Sequence, residues 1–168
     1  MSNGHDKELF RIIDDFGKKL PRFSDGRINY TKSKVAPVTT VFVRHNGNIL
    51  VLKRSNKVAN YKEHWNIVAG FLDELKPLEQ KIAEELKEEL GVTSDLIKKV
   101  FIGKSYVEED RKSNKQWIVF PAIVDLHKKP KIRLNEAHTK YAWVQPHLLS
   151  LFNNAVPSVR MGPDKVSE

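Results

Sequence analysis

Between residues 7 and 19, Leu9, Phe10, Ile12, Ile13 and Phe16 recur at helical spacing. That spacing predicts an amphipathic helix, followed by a stretch punctuated by Pro and Gly that runs to Pro37. Two apolar, β-branched runs come next, at 38–43 and 49–54, and between them His45-Asn46-Gly47-Asn48 carries the Asn-Gly pair of a tight hairpin. A polar loop leads to a short strand near residues 65–68. Pro77, suited to a first helical turn, opens a second helix that ends at Gly91. Residues 99–107 and 116–126 read as two strands joined by the charged loop EEDRKSNKQ, residues 141–144 as a further strand, and PHLLSLF as a short helical pattern. Strands on both sides of one central helix predict an α/β sandwich with a mixed sheet rather than the regular alternation of a doubly wound fold.

The length, 168 residues, fits one domain with an extension, large enough to need neither disulfides nor a structural metal for its core. The expected division is a helical extension at 1–36, the main domain at 37–156 and a polar tail at 157–168. Cysteine is absent, which removes disulfides, thiolate zinc sites and cysteine nucleophiles. No apolar leader follows Met1, and apolar runs such as IVFPAIV at 118–124 are too short to span a bilayer. The expectation is a soluble, cytoplasmic protein with no membrane partner. The net charge of +8 admits phosphate esters, nucleotides and nucleic acid as partners without choosing among them. Lysines fall in short scattered groups such as Lys18-Lys19, Lys98-Lys99 and Lys128-Lys129, the pattern of a solubilising surface. With no RNA-binding motif beside them, a specific nucleic-acid partner is not expected.

The stretch AEELKEELG at 83–91 changes the picture. A glutamate run is ordinarily the wet side of a helix. At about 100° per residue, however, Glu85, Glu88 and Glu89 share one arc beside the apolar arc of Ile82, Leu86 and Leu90, while Gln80, Glu84 and Lys87 point further toward solvent. Like charges at i, i+3 and i+4 destabilise a helix by a few tenths of a kcal/mol per pair unless a cation sits among them. Carboxylates without thiolate or imidazole suit a hard ion, Mg²⁺ or Mn²⁺, better than zinc, and such an ion suits phosphate chemistry.

With the carboxylates placed, GFLDELKPLEQKIAEELKEELGV at 70–92 resembles the Nudix box, G-x5-E-x7-R-E-U-x-E-E-x-G-U with U aliphatic. Gly70, Glu85, Leu86, Glu88, Glu89, Gly91 and Val92 fall on the pattern without insertion. Lys76 stands where the family has Glu and Glu84 where it has Arg, so the two charges are exchanged, and Ala69 stands where many members have a second Gly. ILVLKRS at 49–55, WNIVAG at 65–70 and LNEAHTKYAWV at 134–144 are similar to the family's flanking strands, so the resemblance covers residues 37–151.

The resemblance implies a Nudix-like α/β/α sandwich that hydrolyses a nucleoside diphosphate linked to another moiety, with Mg²⁺ or Mn²⁺ as cofactor and a small nucleotide as partner. By position, Glu85, Glu88 and Glu89 would hold the metal with the backbone carbonyl of Ala69, and Glu85 and Glu88 are the catalytic candidates within the box. The family often adds a carboxylate from outside the box. Glu136, seven residues before Trp143, is the candidate for that late ligand or general base, with Glu108 and Glu109 as competitors. Arg54 at a strand end could contact substrate phosphate through its planar fork. Trp65 and Trp143 read as core aromatics, and His138 has a suitable position without an evident partner. The N-terminal helix either covers the site or builds a homodimer. A rival reading is a Nudix-like nucleotide- or RNA-binding module that kept the fold and lost turnover. Isopentenyl diphosphate isomerases share the fold but use a cysteine that this chain lacks.

Overall fold

Asn46 and Gly47 both take positive φ, 49° and 78°, the backbone that a tight hairpin between right-twisted strands needs. They join β1 (Val35–His45) to β2 (Asn48–Arg54), with His45 opposite Asn48. The structure is a computed structural model and describes residues 4–166. Residues 1–3 of the expected extension and 167–168 of the expected tail lie outside the described residues. The remaining elements are α1 (Gly4–Lys19), β3 (Trp65–Asn66), β4 (Val68–Phe71), α2 (Leu78–Leu90), β5 (Ile97–Ile102), β6 (Tyr106–Asp110), β7 (Lys115–Leu126), β8 (His138–Val144) and α3 (Pro157–Met161). Short 3-10 turns cover Ser94–Leu96, Pro146–Leu151 and Gly162–Lys165.

Eight strands form one mixed sheet with the order β3-β2-β1-β7-β5, to which β4 adds beside β1, β6 beside β7 and β8 beside β2. β1 and β7 run parallel from Val35 opposite Gln116 to Arg44 opposite Asp125. Period-2 alternation divides each central strand between two cores. Val41, Val43, Leu50, Leu52, Ala122 and Val124 face Leu9 and Ile13 of α1 and Leu78, Ile82, Leu86 and Leu90 of α2. Phe42, Ile49, Val51 and Ile123 face the opposite layer, built from Leu149, Val156, Val159 and Val166. The result is the expected α/β/α sandwich. Each fully buried apolar side chain of α2 contributes about 2 kcal/mol.

Two expectations differ from the structure. The strand expected at 99–107 is two strands, which pair with different halves of β7 on either side of Pro121. Pro121 has no N–H to give to a ladder, and its carbonyl instead accepts from Gly103 N at 2.9 Å. A Cβ on Gly103 would collide with the Lys165 carbonyl oxygen, so the returning chain needs glycine there. The stretch after Pro157, expected as a polar tail, is folded: Val159 is fully buried and Val166 nearly so, because those two apolar positions complete the cover of the second sheet face.

No helix of the described residues is long and apolar enough to cross a membrane.

Candidate functional site

α2 begins behind Pro77 and ends at Gly91, whose φ of 69° lets its N–H turn back to the carbonyls of Leu86 and Lys87. Between these ends, the apolar stripe docks on the sheet and turns Glu85 inward. Glu85 is 8% exposed. Its carboxyl group lies against Gly70 of β4 so closely that a Cβ there would sit 2.5 Å from the Glu85 Cδ, which is the physical reason for glycine at that position. Glu88, one turn on, is exposed. Glu89 is half-buried, with the Ala69 backbone favouring its charged form, and its Oε2 is buried without a hydrogen-bond partner among the described residues. The structure therefore brings Glu85, Glu88, Glu89, Ala69 and Gly70 to one place.

Burial raises the Glu85 carboxyl to about 7; Lys81 opposes the rise, and the charges of Glu88 and Asp73 add to it. Burial also lifts Glu89 well above the ordinary carboxylate range, reinforced by Glu85 and Glu88 and opposed by Arg54. This is the electrostatic signature of carboxylates short of a cation. Sequence reasoning missed the cation already present. Lys81, its side chain 9% exposed, places Nζ 3.4 Å from Asp73 Oδ1, 3.6 Å from Glu85 Oε1 and 3.8 Å from Glu74 Oε1. Its spacing of four residues from Glu85 is the only sequence signal, and at the surface that spacing means little.

Among the described residues, no three His, Cys, Asp or Glu side chains are already gathered into a ligand set for an ion. The donors nevertheless fit a hard divalent cation in kind. They are carboxylate oxygens that repel one another, one of them buried and unpaired, beside a backbone strand that crosses their end of the helix. One of them, Glu85, is already paired with Lys81.

Arg54, at the end of β2, is lowered by burial and held up by the charge of Glu89, so guanidinium and carboxylate share one environment. Its Nε donates to the Asn60 carbonyl at 3.0 Å. Opposite it in β8 stands His138, 6% exposed, both ring nitrogens without a partner among the described residues. Burial first, then Arg54, lowers His138 to about 4.

Arg54, Ala69 and Gly70 line a cavity of about 220 Å³ together with three aromatic rings, Tyr61, Phe71 and Trp117. Asp110 fixes two of these rings, accepting from Tyr61 Oη at 2.7 Å and from Trp117 Nε1 at 3.1 Å. Burial works to raise Asp110, but these bonds and Ser113 outweigh it and hold the carboxyl below its usual range. The anchor matters because Tyr61 has φ of 54°, which a bulky residue adopts only under constraint. Thr40 Oγ1, buried and unpaired among the described residues, also faces this space.

The acids outside α2 fall in three places. Glu108 lines the cavity, its carboxyl raised by burial and by Asp110. Glu109, its neighbour on β6, accepts from Gln116 Nε2 at 2.8 Å on the exposed side. Glu136 is exposed in the turn where Asn135 Oδ1 accepts from Ala137 N at 3.1 Å. Trp65 packs against Phe152, with ring centroids 5.7 Å apart, and Trp143 borders the first core, so both are structural aromatics. The tryptophan that lines the cavity is Trp117. No periodicity marks it, because β7 is apolar along most of its length.

A mixed-sheet α/β/α sandwich carrying a glutamate-bearing helix beside a cavity lined by Arg54 defines the class: a Nudix-type fold. The sequence model of the NUDIX domain matches residues 34–164, and the chain belongs to the Nudix family. The fold is similar to that of a MutT protein from Methanosarcina mazei Go1, at 20% identity with a TM-score of 0.63, over 77% of this chain and 91% of that one. A MutT NUDIX hydrolase from Burkholderia pseudomallei matches at 19% identity and a TM-score of 0.65, over 80% of this chain and 100% of that one. An Ap4A hydrolase from C. elegans matches at 18% identity and a TM-score of 0.54, over 67% and 81% of the respective chains. No curated protein gives a significant sequence match. Nudix hydrolases are in general metal-dependent pyrophosphohydrolases that act on small nucleotide substrates.

Proposed function

We propose that this chain is a cytoplasmic pyrophosphohydrolase that uses Mg²⁺ or Mn²⁺ to cleave a nucleoside diphosphate linked to another moiety. The observation that carries the proposal is the group of mutually repelling carboxylates, Glu85, Glu88 and Glu89, joined to an aromatic cavity through two of its lining residues: Gly70, against which Glu85 lies, and Arg54, whose charge acts on Glu89. Glu85, Glu88, Glu89 and the Ala69 carbonyl would hold the ion. When bound, a divalent ion neutralises diphosphate charge and lowers the pKa of coordinated water. Arg54 offers the diphosphate a planar fork of donors and aligns it. Tyr61, Phe71 and Trp117 accept the flat face of the base and exclude water behind it. Glu85, raised toward neutrality, is able to take a proton at its carboxylate, and Glu108 is the cavity acid outside α2 that is able to do the same. Glu136 remains the candidate base that ligand binding would have to draw in from its exposed turn.

The test is hydrolysis of ADP-ribose, dinucleoside polyphosphates, nucleotide sugars and nucleoside triphosphates with Mg²⁺ and with Mn²⁺. Metal-dependent product release that disappears in the doubly substituted Glu88→Gln, Glu89→Gln protein supports the proposal. Equal rates in that variant overturn it. One observation favours the rival reading of a binding module: Lys81 already neutralises part of Glu85's charge. Nucleotide binding by calorimetry with no turnover in any metal would decide for that reading.

A further inference from the structure

Residues 4–30 lie outside the stretch that matches the family, yet they hold the entry to α2. Pro77 occupies the N-cap position and makes no side-chain cap bond. The first N–H groups of a helix need acceptors, and where the helix start is buried, water is a poor source of them. Here the acceptor comes from another helix. Asp6 of α1 places Oδ1 3.0 Å from Leu78 N, a buried contact between residues 72 apart in sequence. The carboxylate also suits the positive end of the helix dipole.

The extension grips the preceding loop at two further points. Tyr30 Oη donates to the Leu72 carbonyl at 2.8 Å, and Ile28 N donates to the Asp73 carbonyl at 3.1 Å. Asp73 then pairs with Lys81, and Lys81 with Glu85. A continuous set of contacts thus runs from the extension to the carboxylate that lies on Gly70. α1 is itself fixed, through buried Leu9 and Ile13 and through Ser105 Oγ, which donates to Glu8 Oε1 at 2.5 Å.

We infer that Asp6 is a positioning residue for the candidate site: by capping α2 it fixes where Glu85, Glu88 and Glu89 stand relative to β4. The inference rests on the proposed function for its kinetic readout alone. If α1 only added apolar cover, loosening it anywhere would have the same effect on the site. If Asp6 acts as the cap, the effect follows the acceptor oxygen.

Three variants of the full chain separate these cases: Asp6→Ala removes the acceptor, Asp6→Asn keeps an oxygen that caps well, and Leu9→Ala loosens α1 without touching the cap. All are compared well below their melting temperatures by amide exchange across residues 78–82, Mn²⁺ affinity by calorimetry, and kcat and KM on a substrate from the hydrolysis panel. Asp6→Ala is expected to speed exchange in the first turn of α2 by about tenfold, the upper scale of a lost cap. It is also expected to weaken Mn²⁺ binding and lower kcat by a similar factor, with KM within about twofold. Asp6→Asn restores all three, and Leu9→Ala lowers the melting temperature without reproducing them. The inference is overturned if Asp6→Asn behaves like Asp6→Ala, if Leu9→Ala gives the same loss of Mn²⁺ affinity, or if Asp6→Ala changes only the melting temperature. A wild-type protein that hydrolyses nothing overturns the hydrolase proposal, and exchange with Mn²⁺ affinity then decides the role of Asp6.

Discussion

Lys76 Nζ donates to both carboxylate oxygens of Glu84, at 3.0 and 3.2 Å. These are the two positions where the box departs from its family pattern, and the contact shows that the exchanged charges still meet. Both side chains are about a third exposed, so the pair acts on the orientation of the loop and helix start more than on stability. Glu84→Arg alone sets two cations against each other and is expected to lower turnover, by up to about fivefold on the scale of an exposed pair. Combining it with Lys76→Glu is expected to restore or exceed the wild-type rate. A double-mutant cycle in initial rates checks this; no coupling between the positions would make the exchange coincidental.

Glu88→Gln and Glu89→Gln are expected to weaken Mn²⁺ binding by about tenfold or more while the metal-free protein keeps its fold. Glu89→Gln should raise the melting temperature in chelator, since it removes a half-buried carboxyl whose ionisation burial and the neighbouring glutamates oppose. Calorimetry and thermal melts in EDTA check both halves. Unchanged Mn²⁺ affinity in both variants would remove the carboxylates from the site.

Glu136→Gln and Glu108→Gln compare the acids outside α2. The one that transfers a proton in the rate-limiting step is expected to lose about a hundredfold or more in kcat on substitution. A change under about threefold marks a bystander. Position favours Glu108, which lines the cavity.

Raised carboxyls and a buried imidazole contribute to the pH dependence of stability with opposite signs, Glu85 and Glu89 on one side and His138 on the other. Glu85 is raised from 4.5 to about 7, so the metal-free fold loses stability as pH rises through that window, by about 3 kcal/mol at about 1.4 kcal/mol per pH unit. His138 is lowered from 6.5 to about 4, so stability is lost as pH falls from 6.5 toward 4. The Glu85 and His138 trends oppose each other between 4.5 and 6.5, so each is read from its own variant against the wild type. Urea denaturation in chelator should show Glu85→Gln gaining on the wild type from pH 5 to 7.5, and His138→Phe gaining on it below pH 6. A Glu85→Gln advantage independent of pH would contradict the burial of that carboxyl.

The features that the sequence made legible are those written in neighbouring residues. The Asn46-Gly47 turn needs only its own backbone preferences, and α2 with its glutamates needs only a period and a fixed spacing. What was not legible depends on distant partners. The break between β5 and β6 is set by Pro121 across the sheet and by the chain returning at Lys165. The cavity rings depend on Asp110, which lies 49 residues from Tyr61. Lys81 reads as a surface lysine until Asp73 and Glu85 are seen around it, and the two buried valines of the last stretch, Val159 and Val166, sit too far apart to show a period.

The central parallel pair has a consequence for synthesis. β1 finds β2 and β4 soon after it is made, but its other edge waits for β7, and Arg44 and Asp125 at the end of that pairing are 81 residues apart. At ordinary translation rates the wait lasts roughly 4 to 16 s. Throughout that interval an apolar strand with an unpaired edge is held open near the ribosome, the kind of surface that recruits other strands. A chain interrupted before Lys115 therefore cannot close its sheet at all, and truncated products of this protein should be cleared or aggregate rather than persist as smaller folded forms.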